Sequence, residues 1–193
     1  MAPVKLLLIG DFHIPERAHE IPRKIKERLE SGNYGLILCT GDLTRKPILE
    51  YLRSVARVKW VMGNMDLISG PMEEKVEIGG VRIGLNHGTE IYPRGDLRKL
   101  REKAGRMGVE VLVTGHTHKL SINLVEGKLI LNPGSATGVW GGGGGSGKPS
   151  FIEMIVEKGR ISVEGFELEL DDSFSVRHVH FEISEGFVTE TSP

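Results

Sequence analysis

Five separate apolar runs in this chain end alike, in an acid, an amide or a histidine close to a glycine. Lys5 to Ile9 leads through Gly10 into Asp11-Phe12-His13, and Leu36 to Cys39 leads into Gly41-Asp42. Val58 to Met62 runs into Gly63-Asn64-Met65-Asp66, and Val81 to Leu85 into Asn86-His87-Gly88. Val109 to Val113 ends in Thr114-Gly115-His116-Thr117-His118. Short apolar runs bounded by turn residues read as buried strands, and α/β sheets bind ligands outside the carboxyl ends of their strands. Taken singly, Asp42 could cap the helix after it and His87 could be an ordinary hydrogen-bonded histidine. Five such ends together point to one polar site. In extended backbone residues i and i+2 share a side, so His116 and His118 are expected to aim at one point.

The segments between these runs set the architecture. Glu20 to Glu30 carries Ile21, Ile25 and Leu29 at helical spacing, and Arg45 to Val55 carries Ile48, Leu52 and Val55. Asp96 to Met107 reads as a third helix with Asp96 as its N-cap. Gly79-Gly80, Glu126-Gly127 and Lys158-Gly159 are hairpin turns between strand-like runs, and Ser175 to Ile183 adds a late strand. The pattern predicts a mixed, largely parallel α/β core sheet extended by antiparallel strands, with helices outside. A chain of 193 residues is long enough for a full core. One domain is expected over residues 1–183, with residues 184–193 a frayed tail.

Composition removes several functions. The net charge of −1 gives no electrostatic reason to bind nucleic acid or an anionic membrane. No apolar run approaches the roughly 18 residues of a spanning helix, and the N-terminal residues carry no secretory pattern, so the cytoplasm is expected. The single cysteine, Cys39, lies inside an apolar run and rules out an internal disulfide or a thiolate cluster.

The candidate ligands are therefore oxygens and imidazoles, a set suited to Mn, Fe, Co, Ni or Zn rather than Ca or Mg. Seven are too many for one tetrahedral ion and suit two, about 3.5–4 Å apart, bridged by a carboxylate and a water. Asp-x-His, Gly-Asp, Gly-Asn-x-Asp, His-Gly and Gly-His-Thr-His, in this order, resemble the calcineurin-like metallophosphoesterase family from about Lys5 to Phe151. The likeness is strongest to its small single-domain phosphodiesterase branch and to the retromer scaffold subunit built on the same fold. Gly10 to Pro15, Leu38 to Gly41 and Asn132 to Gly138 look particularly like that scaffold subunit.

This resemblance implies a four-layer α/β/β/α sandwich. It implies that Asp11, His13, Asp42 and His118 hold one metal and Asp42, Asn64, His87 and His116 the other, with Asp42 bridging. The implied cofactors are two divalent transition ions, manganese first, with nickel, cobalt, iron or zinc as the others. The implied reaction is in-line attack of a metal-bridging hydroxide on a small phosphodiester. Asn64 and Arg17 would contact the phosphoryl group, and Asp66 would orient a ligand or nearby backbone. Family members carry a histidine that protonates the leaving group where this chain has Met65, so no general acid is assigned. The second reading is a scaffold-like module whose metal face docks a protein partner; self-association is also open. A flavodoxin-like nucleotide-binding module explains the alternating first half but not the histidines.

Other features are weaker. Gly142 to Lys148 approaches a phosphate-binding loop, but Pro149 follows in place of Ser or Thr and no helix succeeds it; the glycine run is expected to be a flexible hairpin loop. His178 and His180 read as a solvated strand face, and Trp60 and Trp140 as core and loop anchors. The chain has no glutamine and abundant Glu, Lys and Arg, a thermophile-like composition. Its melting midpoint, read by calorimetry, is expected above the range of about 45–65 °C typical of mesophile domains; a midpoint within that range would count against a thermophilic origin.

Overall fold

The computed structural model describes residues 2–192. Two sheets lie face to face. The first holds β1 (Val4–Ile9), β2 (Leu36–Cys39) and β3 (Val58–Trp60) in parallel, then β9 (Ser150–Glu157), β10 (Arg160–Leu168), β11 (Phe174–Ser184) and β12 (Phe187–Thr191), in the order β12-β11-β10-β9-β1-β2-β3. The second holds β4 (Glu73–Ile78), β5 (Val81–Asn86), β6 (Val111–Val113), β7 (Leu120–Val125) and β8 (Lys128–Pro133), in the order β4-β5-β6-β8-β7. Within it β5, β6 and β8 run parallel, with antiparallel edges. Helices α1 (Arg23–Ser31) and α2 (Lys46–Val55) cover the outside of the first sheet, and α3 (Leu97–Met107) covers the second.

Strict alternation along the strands builds these four layers, because successive side chains face opposite sides of a sheet. Leu6, Leu8, Leu36 and Leu38 meet Val111, Val113, Leu129 and Leu131 between the sheets. Their neighbours Leu7, Ile9, Ile37 and Cys39 point outward to Ile25 and Leu29 of α1 and to Leu49 and Leu52 of α2. Leu112 and Ile130 point the other way, to Leu100, Ala104 and Met107 of α3.

Helix ends follow local chemistry. Pro22 disfavours helical backbone at Ile21, so α1 starts at Arg23 rather than Glu20. The Asp96 side chain accepts from the Lys99 amide, and Gly108 ends α3 in left-handed backbone.

Two expectations change. Beyond Ser184 the chain does not fray: it turns at Glu185-Gly186 and returns as β12, paired with β11 from His180 to Ser184. Backbone pairing and burial of Val188 in the inter-sheet core hold it; Pro193 lies outside the described residues. The glycine run does not close a hairpin either, because β8 and β9, which it joins, belong to different sheets.

Glu153 on β9 ties α1 to the first sheet. Its carboxylate is buried and accepts from Arg28 at 2.7 and 2.8 Å and from the Tyr34 hydroxyl at 2.6 Å, with Lys5 Nζ 2.9 Å away. Burial alone would raise this carboxyl; Arg28, Tyr34 and Lys5 outweigh it and hold it below its ordinary value. Its contribution is therefore complete above about pH 4.5 and is lost as falling pH protonates it. Glu153→Gln is expected to cost about 1.5–3 kcal/mol at neutral pH and to flatten the acid limb of stability, read by denaturant unfolding between pH 3 and 7. An unchanged acid limb would show that Glu153 is not the group responsible.

Candidate metal centre

The carboxyl ends of β1, β2, β3, β5 and β6 converge on one edge of the sandwich. There the structure brings the predicted residues together. His13 Nε2 and His118 Nε2 are 3.0 Å apart, and Asp11 Oδ1 lies 3.3 Å from His118 Nε2 and 3.8 Å from His13 Nε2. Asp42 Oδ2 stands 3.4 Å from both His13 Nε2 and His87 Nε2, between the two ends of the cluster. Asn64 Oδ1 is 3.2 Å from His87 Nε2, and the His116 ring packs edge-on against His87 at 5.2 Å. Donors sharing an ion at about 2.1 Å lie about 3.0–3.4 Å from each other, close to most of these spacings. Two triads have the reach to hold ions, Asp11-His13-His118 and Asp11-Asp42-His87.

The donor set fits cations in a second way. Asp11 is fully buried, and its Oδ1 has no hydrogen-bond partner, while Oδ2 accepts the His116 amide at 3.1 Å. A buried carboxylate oxygen left bare is costly unless a positive charge faces it. Two histidines of the cluster are already oriented, whereas the buried Nδ1 of His13 has no partner. His87 Nδ1 donates to Thr40 O at 2.7 Å and His118 Nδ1 to Val139 O at 2.6 Å, which directs each Nε2 into the cluster.

Protonation states report the same excess of negative charge. Burial lowers the affinity of His87 for a proton, but Asp42 and Asp11 raise it further, to a pKa of about 9. His118 is raised by Asp11 against the same burial. Asp11 and Asp42 are both held below the ordinary range: burial opposes this, and the histidines outweigh it. His116 goes the other way, to about 4, through burial and the positive charges of His87 and Arg94.

Backbone geometry differs from the extended form expected at the paired histidines. His116 (φ 69°) and His118 (φ 56°) are left-handed, as are Asp11 (φ 49°), His13 (φ 49°) and Asp42 (φ 50°). Non-glycine residues in this region are uncommon and cluster at functional sites. The turns send His118 to His13 and His116 to His87, so the two histidines serve opposite ends of the cluster.

Asp66 stands behind the cluster. Its Oδ2 accepts the Asp42 and Gly63 amides at 2.9 and 2.8 Å, and its Oδ1 the Thr44 amide at 2.7 Å, pinning the β2 and β3 loops together. Burial raises its pKa despite these three donors.

Trp140 is not an anchor. It is 83% exposed and lines the mouth of a cavity of about 280 Å³ over the cluster, with Arg17, Met65, Arg94, Gly141 and Gly142. Arg94 reaches this mouth from the loop Tyr92-Pro93-Arg94-Gly95, which follows the strand-end histidine His87. The glycine run is packed rather than free: a Cβ at Gly141 would strike the His118 ring, and one at Gly143 the Thr117 backbone.

Residues 4–152 match the model of the calcineurin-like phosphoesterase superfamily domain. The chain belongs to that superfamily. It is 45% identical over 130 residues to a probable metallophosphoesterase of Methanocaldococcus jannaschii, covering 67% of each chain. Among solved structures it is similar to vacuolar protein sorting 29 of Cryptosporidium parvum, at 33% identity and TM-score 0.89 over 94% of this chain and 99% of that one. The Entamoeba histolytica Vps29 crystallised with zinc aligns at 37% identity and TM-score 0.84, over 91% and 98%. The fold is thus the metallophosphoesterase fold, and two candidate metal-ligand groups lie at one edge of it.

Gly63 faces the cluster without a side chain because a Cβ there would run into Asp42 Oδ1. Gly63→Ala is expected to weaken Mn²⁺ binding about 10–100-fold, the effect of disturbing a ligand's support, with the fold retained by circular dichroism. Unchanged affinity by titration calorimetry would remove Asp42 from the centre.

Proposed function

We propose that this chain is a dinuclear-metal-dependent phosphoesterase, most suited to phosphodiesters. The bare, buried Asp11 Oδ1, 3.3 Å from the oriented His118 imidazole and 3.8 Å from that of His13, carries the reading. Asp11, His13, Asp42 and His118 would hold one divalent ion, and Asp42, Asn64, His87 and His116 the other, Asp42 being common to both. Bound ions supply a water acidified enough to yield hydroxide near neutral pH, and positive charge against the phosphoryl oxygens. Manganese, nickel, cobalt, iron and zinc all suit this donor set.

The chain's own residues do the rest. Asn64 is exposed at the cavity floor and can donate its amide to a phosphoryl oxygen. Arg17, at the rim, supplies a guanidinium for a phosphate of the substrate, and Asp66 fixes the loop that carries Asp42. Met65 occupies the position from which a leaving group would be protonated, and methionine has no proton to give. Activity is therefore biased towards leaving groups that depart as stable anions.

The likeness to Vps29 supports a second reading, a docking protein whose metal face receives a partner. One experiment separates the two: metal content, together with hydrolysis of bis(p-nitrophenyl) phosphate across Mn²⁺, Ni²⁺, Co²⁺, Zn²⁺ and Mg²⁺. The expected outcome is two equivalents of transition metal and turnover, both lost in Asp42→Ala. Two equivalents without turnover would favour the docking reading, and no bound metal would overturn both assignments of the centre.

A further inference from the structure

Three consecutive backbone carbonyls cross the mouth of the site, and each is held from a different side. His118 Nδ1 donates to Val139 O at 2.6 Å, Arg17 Nη1 to Trp140 O at 3.2 Å, and Arg94 Nη1 to Gly141 O. The arginines come from distant parts of the chain, the loop after β1 and the loop after β5. Each spends one N–H of five on a neutral carbonyl, so each keeps its full charge and most of its donors. Glu16, beside Arg17, is taken by Arg45 at 2.9 Å; among the described residues no carboxylate pairs with Arg17 or Arg94. Trp140, held between them by its own carbonyl, exposes its indole to solvent.

The rest of the lining is informative by its chemistry. Besides the candidate ligands, the cavity is lined by Arg17, Met65, Arg94, Trp140, Gly141 and Gly142. Arginine does not give up its proton in proteins, and none of the others has one to transfer. A leaving group in this cavity meets fixed positive charge and an aromatic face, but no general acid.

We propose that Arg17, Arg94 and Trp140 form a leaving-group subsite for a nucleotide phosphoanhydride, in which the arginines grip the departing phosphate and the base stacks on Trp140. This rests on the phosphoesterase reading above and names its substrate class. An alkyl phosphodiester must expel an alkoxide, whose conjugate acid titrates near that of water, about 15.7. A phosphoanhydride expels a phosphate monoester with a second pKa of about 6, which needs no proton to leave. Guanidinium groups bind phosphate oxygens through paired donors, and every nucleobase offers a π-face to an exposed indole. In the reaction the oxygen of water bonds to one phosphorus and the P–O bond to the bridging oxygen breaks. Its electron pair leaves with the second nucleoside monophosphate, and the two protons of the water pass to solvent.

Diadenosine 5′,5′-diphosphate and adenylyl-adenosine test this, since both present adenine and differ in the bond to be cleaved. With Mn²⁺-loaded protein, kcat/KM for the diphosphate should exceed that for the diester by at least 100-fold, the low end of what an absent general acid costs, about 10²–10⁴. Arg17→Ala and Arg94→Ala should each shrink that ratio, and Met65→His should shrink it by raising the rate on the diester. A ratio near one in the wild type, or one that neither arginine variant alters, would overturn the proposal. Bis(p-nitrophenyl) phosphate runs alongside: its hydrolysis with no preference for the anhydride sinks the subsite and leaves the phosphoesterase standing, whereas no turnover of any substrate sinks the phosphoesterase reading itself. A binding measurement decides the subsite even then. Adenosine 5′-(α,β-methylene)diphosphate should quench tryptophan fluorescence in the wild type, and Trp140→Leu should abolish the quench while Trp60 still emits. No quench, or a quench that survives Trp140→Leu, would also overturn the proposal.

Discussion

Two buried carboxylates, Asp11 and Asp42, lie at one edge of the sandwich, and among the described residues the charges facing them at close range are imidazoles, helped by one backbone amide each. That imbalance organises the edge of the sandwich. It raises His87 to a pKa of about 9 against the burial that would lower it. It leaves Asp11 Oδ1 without a hydrogen bond in a fully buried position. A fold tolerates such a group when a cation completes it, so this concentration of charge is what would bind an ion tightly.

The cost of this arrangement is spread through the loops. Five candidate ligands adopt left-handed backbone, a conformation that costs side-chain-bearing residues of order 1 kcal/mol or more each. Supports nearby fix them. Asp66 ties the Asp42, Thr44 and Gly63 amides with one carboxylate, and Asn132 donates to Gly115 O at 2.9 Å and to Thr117 Oγ1 at 3.0 Å, steadying the histidine loop. The sandwich beneath supplies rigid strands whose ends cannot drift, because both faces of β1, β2, β6 and β8 are packed.

Much of this was legible in the residues. Continuous apolar runs such as Leu6-Leu7-Leu8-Ile9 mark strands buried on both faces, so the strands were legible from pattern; their division into two facing sheets, rather than one extended sheet, was implied by the family resemblance alone. The five polar strand ends gave the site because a ligand set distributed over distant loops has little other reason to recur. The conformation of those ends was not legible: αL backbone at Asp11 or His118 is imposed by tertiary contacts that no local propensity encodes. The strand β12 was missed because Glu185-Gly186 and the polar residues around Val188 resemble a solvated tail until β11 is there to pair with. Trp140 reads as an anchor in the sequence because tryptophan is highly buried on average, and its exposure depends on where the following loop lies.

The glycine run is the most telling of these misreadings. Glycine-rich sequence suggests freedom, yet Gly141 and Gly143 lie so close to His118 and Thr117 that no side chain would fit. The composition answers a packing requirement: backbone must pass directly over the histidine loop for Val139 O to reach His118 Nδ1. The same approach brings the Trp140 and Gly141 carbonyls within reach of Arg17 and Arg94. One loop therefore orients a candidate metal ligand and sets two arginines at the cavity mouth. A displacement of that loop would disturb candidate-ligand geometry and the charge at the mouth together, so under the proposed function ion binding and phosphate recognition would be coupled.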